Sequence, residues 1–170
     1  MPTLYEVVNR SYDEFMSVYN SSDASSIADR LLLRALGNHD SPARIAIASQ
    51  LLDDGADPAA EDTDLTTVHM LLGSIHDFEA EAPLLKRLLD GGADINKVIR
   101  KFGTPLESLA AQFKFTDETL APLYDVLFAS DDLDLLQTSL HGRSVYANIQ
   151  KWEQRRAALV ARMDEYLRDR

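Results

Sequence analysis

A seven-residue motif occurs twice in this 170-residue chain, and this repetition limits the possible folds more than any other feature. Leu51–Asp57 has the sequence Leu-Leu-Asp-Asp-Gly-Ala-Asp, and Leu88–Asp94 has Leu-Leu-Asp-Gly-Gly-Ala-Asp, 37 residues later. The same offset of 37 carries His39-Asp40 onto His76-Asp77. A fixed period of about 20 to 50 residues indicates structural units that stack on their neighbours.

Each unit is predicted to contain two short helices followed by an extended turn. In the clearest unit, Thr104 can cap the first helix and Pro105 suits its first position, where a missing N–H costs nothing. The second helix of each unit is predicted to begin at an aspartate: Asp40, Asp77 or Asp117. It is predicted to end at Gly55 or Gly92, where the chain turns through positive φ.

A third, weaker copy follows at an offset of 38 residues. Val126-Leu127 corresponds to Leu88-Leu89, and Asp132-Leu133-Asp134 corresponds to Asp94-Ile95-Asn96. From this period we predict a single domain over residues 1–170. Its predicted parts are an N-terminal cap helix in 1–28, repeats in 29–61, 62–100 and 101–137, and a degenerate repeat with a long helix in 138–170.

Both ends of the chain are predicted to form caps, because terminal units of a repeat array expose an apolar face. Residues 4–20 have apolar side chains at helical spacing, and no Gly or Pro interrupts a second helix from Ser144 to Leu167. Arg156 interrupts the apolar stripe of that second helix. The stripe is predicted to cover the last repeat, with self-association or a partner helix as the alternative.

The segment Leu88-Leu89-x-x-Gly92-Ala93-Asp94-Ile95-Asn96, followed by Gly103-Thr104-Pro105-Leu106, resembles the ankyrin repeat. The resemblance covers residues 29–137 and implies an all-α solenoid of helix pairs with N- and C-terminal capping helices. The period here is 37 to 38 residues, against about 33 in the family. His69 matches either the family's histidine or its buried leucine. A tetratricopeptide array is the structural alternative, but it has no need of Gly-Ala-Asp turns.

Composition excludes several functions. With no cysteine, the chain has no disulfide, thiolate metal site or cysteine nucleophile. A net charge of −11 disfavours nucleic acid as a partner. No apolar stretch is long enough to cross a membrane and no secretory signal is present, so we expect a cytoplasmic, monomeric protein. We predict no catalytic, cofactor or metal-binding residue, and we interpret the recurring His-Asp pairs as structural.

The resemblance implies binding of another protein through the turn tips and inner helices. The acidic candidates at the first tip are Glu61, Asp62 and Asp64. The basic and aromatic candidates at the second tip are Lys97, Arg100, Lys101 and Phe102. Bulky residues in the lengthened loops form a third set: Ile75, Phe78, Phe113 and Phe115. For each set, local packing or simple solvation is the alternative.

The negative charge favours a basic partner. Residues 1–150 carry a net charge of −13 and residues 151–170 a net charge of +2. The leading hypothesis is a non-enzymatic interaction module, with an inhibitor or immunity protein of a toxin as its narrower form. One alternative is an enzyme in which His69, His76 or His141 meets a carboxylate in a groove. Another is a structural protein that self-assembles through its C-terminal helix.

Overall fold

The structure, a computed structural model, describes residues 3–74 and 76–170, and it is mostly helical, which confirms the all-α prediction. The helices are α1 Leu4–Val7, α2 Tyr12–Met16, α3 Ser21–Ala24, α4 Ala28–Leu36, α5 Ser41–Asp53, α6 Thr67–Ser74, α7 Phe78–Asp90, α8 Pro105–Ala110, α9 Asp117–Phe128, α10 Val145–Gln150 and α11 Ala157–Arg168. Short 3₁₀ turns cover Ser25–Ile27 and Leu140–Gly142. Strand β1, Glu61–Asp62, pairs antiparallel with β2, Leu65–Thr66, in a hairpin.

The chain divides into two compact units, Met1–Ala93 and Asp94–Arg170, named here unit 1 and unit 2. Unit 1 has 16 acidic and 6 basic residues, a net charge of −10, whereas unit 2 has 12 and 11, a net charge of −1. The excess negative charge therefore belongs almost entirely to unit 1. Within the described residues, no helix has the length and apolar character that a membrane span requires.

Each unit has its own apolar core. In unit 1, α4 packs against α5 and α6, and the leucine and isoleucine side chains between them are fully buried. In unit 2, α10 packs against α8, and α11 packs against α9. The principal core residues are Leu31, Leu36, Ile47, Leu51, Leu71, Leu85 and Leu88 in unit 1, and Leu109, Leu120, Leu123, Leu127, Ile149 and Met163 in unit 2. Full burial of one such side chain contributes about 1.5–3 kcal/mol.

The predicted ends of the second helices are largely confirmed. The Asp40 carboxylate accepts a hydrogen bond from the Ala43 N–H at 2.9 Å, and Asp77 caps α7 in the same way. Gly55 and Gly92 follow α5 and α7 with φ of 98° and 105°. The prediction of Asp117 as the third cap is wrong by one residue, because the Thr116 hydroxyl caps α9.

The prediction of one N-terminal cap helix is wrong, because residues 4–24 form three short helices. Ser11 begins a new helix after α1, since its hydroxyl and the Glu14 side chain form a reciprocal capping box. The buried Asn38 side chain donates hydrogen bonds to the carbonyls of Val8 and Arg10, at 3.2 and 2.9 Å. These bonds satisfy backbone groups that a continuous helix would have used internally.

The prediction of one long C-terminal helix is also wrong, because Arg156 separates α10 from α11. Its guanidinium is fully buried and donates to the carbonyls of Ala110, Gln112 and Phe115, at 2.7 to 2.9 Å. A buried charge needs such partners. The backbone of Arg156 is not helical, with φ −131° and ψ 35°, and α11 begins only after it, at Ala157.

Asp117 supplies the cap that Arg156 cannot give to α11. Its carboxylate accepts hydrogen bonds from the N–H groups of Ala158 and Leu159, at 3.0 and 3.1 Å. The first turn of α11 is thereby tied to the first residue of α9, 40 residues earlier. The apolar stripe that was predicted on the C-terminal helix lies inside unit 2, since Val145, Ile149, Leu159 and Met163 are at most 1% exposed.

Candidate protein-binding surfaces

The turn tips share one local construction. In each, an aspartate Oδ1 accepts a hydrogen bond from the N–H two residues later, at 2.8 to 2.9 Å: Asp57 to Ala59, Asp94 to Asn96, and Asp134 to Leu136. A short antiparallel pairing follows, formed by β1 and β2, by Ile99 with Gly103, and by Thr138 with Ser144. The tips are thus held by backbone bonds, which fixes the side chains they present.

A hydroxyl residue closes each tip and caps the helix behind it. Thr104 caps α8 with a reciprocal bond to the buried Glu107, and Ser144 caps α10. Thr66 accepts a hydrogen bond from the His69 N–H at 3.1 Å, and its hydroxyl contacts the His69 Nδ1 at 2.8 Å. His69 is therefore the structural equivalent of Glu107, which resolves the register that the sequence left open.

The third copy begins two residues later than its sequence match suggests. The structural equivalent of Asp94 is Asp134, not Asp132, because Asp134 makes the turn bond. The Asp134 N–H also donates to the Asn96 Oδ1 at 2.9 Å, and the Asn96 side chain donates to the Asp132 carbonyl at 2.6 Å. The two tips of unit 2 are thereby joined side by side.

The acidic tip consists of Glu61, Asp62 and Asp64, all exposed on the hairpin of unit 1. Thr63, between them, has φ 48° and donates its hydroxyl to the Asp62 carboxylate at 3.0 Å. The hairpin therefore places three exposed acidic residues close together in the chain. Such a group attracts basic partners at long range.

Two acidic residues that precede the hairpin in the sequence, Asp53 and Asp54, have side-chain partners within unit 1. Asp53 pairs with Arg87 at 2.7 Å, and Asp54 accepts from the Tyr19 hydroxyl at 2.8 Å. Burial, followed by the hydrogen bond and charge of Asp54, raises the pKa of Tyr19. The acidic tip is thus limited to the hairpin.

The basic tip consists of Lys97, Arg100, Lys101 and Phe102 in unit 2. Ile99 is buried beneath it and exchanges backbone bonds of 2.9 and 3.0 Å with Gly103. Arg100 and Lys101 are exposed, Lys97 is half-buried, and Phe102 is 45% exposed with the Lys101 Nζ 5.5 Å from its ring centroid. Aromatic and arginine side chains are enriched at protein interfaces, which makes Phe102 and Arg100 the candidate anchors of this tip.

The bulky residues of the lengthened loops differ in how far they are buried. Phe113 meets the Trp152 ring edge to face at 5.3 Å, and the guanidinium of Arg155 lies 5.1 Å from its centroid, yet 39% of Phe113 stays exposed. Phe115 is half-buried beside Lys114. Phe78 is buried, and Ile75 lies outside the described residues.

A cleft of about 370 Å³ in unit 1 was not found from the sequence. Arg30 and Arg34 of α4 line it, and the Arg34 guanidinium lies 4.9 Å from the ring centroid of Tyr5. The remaining lining residues are Leu33, Asp62, Leu65 and Met70. One sequence signal pointed to it: neither arginine has a carboxylate three or four residues away on its helix.

The histidines differ in their surroundings. The side chains of His39, His76 and His141 are exposed, and His69 is buried against Thr66. Within the described part of the chain, no group of three or more His, Asp or Glu side chains could hold a metal ion.

A solved structure is similar to this chain: the crystal structure of a functionally unknown protein from Leptotrichia buccalis C-1013-b. The TM-score is 0.76 at 21% identity, covering 98% of this chain and 93% of that chain. At this identity the likeness supports the fold alone. No protein-family model and no curated protein matches the chain.

Proposed function

We propose that this chain is a non-enzymatic protein-interaction module of the ankyrin-repeat type, which binds a basic protein through its turn tips. The main support is the repeated construction at Asp57, Asp94 and Asp134, each followed by an antiparallel pairing and a hydroxyl cap. A tip that is already rigid loses little conformational entropy when it binds. That rigidity suits a scaffold whose exposed tip residues make the contacts.

The proposal of a basic partner rests on the charge of unit 1. Unit 1 has a net charge of −10, and the acidic tip is exposed on it. Electrostatic attraction of this kind speeds encounter and depends on ionic strength. In its narrower form, the proposal is that the chain covers the cationic active surface of a toxin or nuclease, as an inhibitor or immunity protein.

Affinity purification with charge-reversed variants tests the proposal. Asp62→Lys with Asp64→Lys changes the tip, whereas Asp13→Lys with Asp23→Lys makes the same charge change at exposed positions of the same unit. We expect basic proteins to be recovered with the wild type and the control pair, and to be lost with the tip pair or at high salt. Equal recovery by all three, or recovery of acidic proteins alone, contradicts the proposal.

The inhibitor form has its own test. The recovered partner is purified and its activity is measured with and without one equivalent of this chain. An inhibitor abolishes that activity, and the Asp62→Lys, Asp64→Lys pair restores it. Full activity in the presence of the bound chain identifies an adaptor instead.

A further inference from the structure

We infer that the cleft of unit 1 binds an acidic side chain of a protein partner, together with an apolar side chain beside it. This inference rests on the proposed function, since it assigns chemistry to one part of the partner. Of the six basic residues of unit 1, four form ion pairs within the unit: Arg10, Arg44, Lys86 and Arg87. The other two are Arg30 and Arg34, and both line the cleft.

Among the described residues, the absence of an ion pair at either arginine is informative because unit 1 has 16 acidic residues. Among residues 3–74 and 76–170, no carboxylate forms an ion pair with Arg30 or Arg34 and no atom accepts a hydrogen bond from either. Asp62, the acidic residue of the lining, makes no ion pair with either one. Within the described part of this strongly acidic unit, the two cations form no ion pair, which favours a ligand that supplies a carboxylate.

The arginines are also oriented for binding. Arg30 and Arg34 are four residues apart on α4, so their side chains project from the same face of the helix. Tyr5 holds the Arg34 guanidinium at 4.9 Å by a cation–π contact, which leaves the N–H groups at its edge for a ligand. A planar guanidinium with free N–H groups matches the two oxygens of a carboxylate.

The rest of the lining is apolar and partly exposed. Leu65 is 37% exposed on β2, Met70 is half-buried on α6, and Leu33 is buried on α4. An apolar side chain next to the bound carboxylate would cover Leu65 and Met70. The ligand chemistry is therefore an acidic residue adjacent to an aromatic or aliphatic residue in a peptide.

Nuclear magnetic resonance of the full chain with methyl-labelled methionine tests this inference without the partner. The probe is 3-phenylpropionate, which carries a carboxylate two carbons from an aromatic ring, and its neutral amide is the matched control. We expect 3-phenylpropionate to move the Met70 resonance saturably, with a Kd in the millimolar range typical of a small fragment. The amide should bind at least about tenfold more weakly. The Met16 and Met163 resonances serve as internal references.

The variants are Arg30→Gln with Arg34→Gln, and Arg168→Gln as an exposed-arginine control in unit 2. The Arg30→Gln, Arg34→Gln double variant should bind 3-phenylpropionate and its amide equally weakly while keeping its circular dichroism spectrum. Arg168→Gln should behave as wild type. The inference is overturned if Met70 does not respond, if the amide binds as well as the acid, or if the double variant keeps the preference. Tighter binding of inorganic phosphate also overturns it, in favour of a phosphate ligand.

The two proposals can fail separately. If 3-phenylpropionate does not bind but the Asp62→Lys, Asp64→Lys pair still loses the partner, only the cleft inference is wrong. If the fragment binds with the expected preference but no basic protein is recovered, the proposed function is wrong in its partner class.

Discussion

The Arg44 Nε donates to the Glu81 Oε1 at 2.7 Å, and both side chains are 0% exposed. The two residues are 37 apart, the same offset as the Leu-Leu-Asp motifs, so equivalent positions of successive copies form a buried ion pair. Arg44 also donates to the carbonyls of Asn38 and Ser74, at 2.6 to 2.9 Å. The pair therefore holds the carbonyl of Asn38, which follows α4, and that of Ser74, the last residue of α6.

Replacing Glu81 should be costly, because it leaves the Arg44 charge buried without a counter-ion. We expect Glu81→Ala to lower the free energy of unfolding by about 3–5 kcal/mol. The control is Asp53→Ala, which removes a pair of the same 2.7 Å length in which both side chains are exposed. That change should cost less than about 1 kcal/mol. Urea unfolding followed by circular dichroism measures both, and equal losses would contradict the buried role.

Arg44 and Glu81 also show how much of the fold could be predicted from the sequence. Local chemistry was sufficient for the caps at Asp40 and Asp77 and for the glycine turns, since those bonds join residues a few positions apart. An Arg and a Glu at equivalent repeat positions were visible as well. Their burial was not visible, because it depends on how helices 37 residues apart pack together.

The two terminal segments also show which features could not be predicted from the sequence. The capping box of Ser11 and Glu14 is visible in the sequence as Ser-x-x-Glu, but the apolar periodicity of residues 4–20 continues across it and predicts one helix. The break at Arg156 had no comparable local signal, since its partners lie about 40 residues earlier in the chain. The cleft was hidden for the same reason, because it joins Tyr5 to a hairpin near residue 62.

The glycine turns provide a second stability prediction. Gly92 has φ 105°, a conformation that alanine adopts at a cost of about 1 kcal/mol, so Gly92→Ala should destabilise by about that amount. Gly73 lies within α6, and an added Cβ there would meet no atom within 4 Å. Gly73→Ala should therefore stabilise by up to about 1 kcal/mol. Thermal melts should show a lower Tm for Gly92→Ala and a higher Tm for Gly73→Ala. Tm shifts of the same sign in both variants would contradict the backbone conformations given to these two glycines.

Alkaline pH should weaken unit 2 through Tyr124, which is 2% exposed and donates its hydroxyl to Asp117 at 2.9 Å. Burial, followed by the negative charge of Asp117, raises the pKa of Tyr124, while Arg156 lowers it. The proton is held more tightly in the folded state. Its contribution to stability is therefore complete below the unfolded tyrosine pKa of about 10 and is lost as the pH rises above that value.

Tyr124→Phe tests this pH dependence. We expect the variant to lose about 1 kcal/mol at neutral pH, because the bond to Asp117 is gone, and to show a smaller further loss of stability above pH of about 10. Urea midpoints measured from neutral to alkaline pH give both effects. Parallel pH curves for wild type and variant would show that Tyr124 does not control alkaline unfolding.

Phe102 at the basic tip provides the functional prediction, because 45% of its surface is exposed while Ile99 beneath it is buried. Phe102→Ala should change the free energy of unfolding by less than about 0.5 kcal/mol, as expected for a surface position. Binding to the partner recovered with wild type should weaken at least about fivefold, the equivalent of about 1 kcal/mol for an interface anchor. Met16→Ala, at a comparable 37% exposure in unit 1, is the control and should leave binding unchanged. Calorimetric titration measures the affinity of wild type and of each variant. Equal affinity for wild type and Phe102→Ala would show that the basic tip is not part of the binding surface.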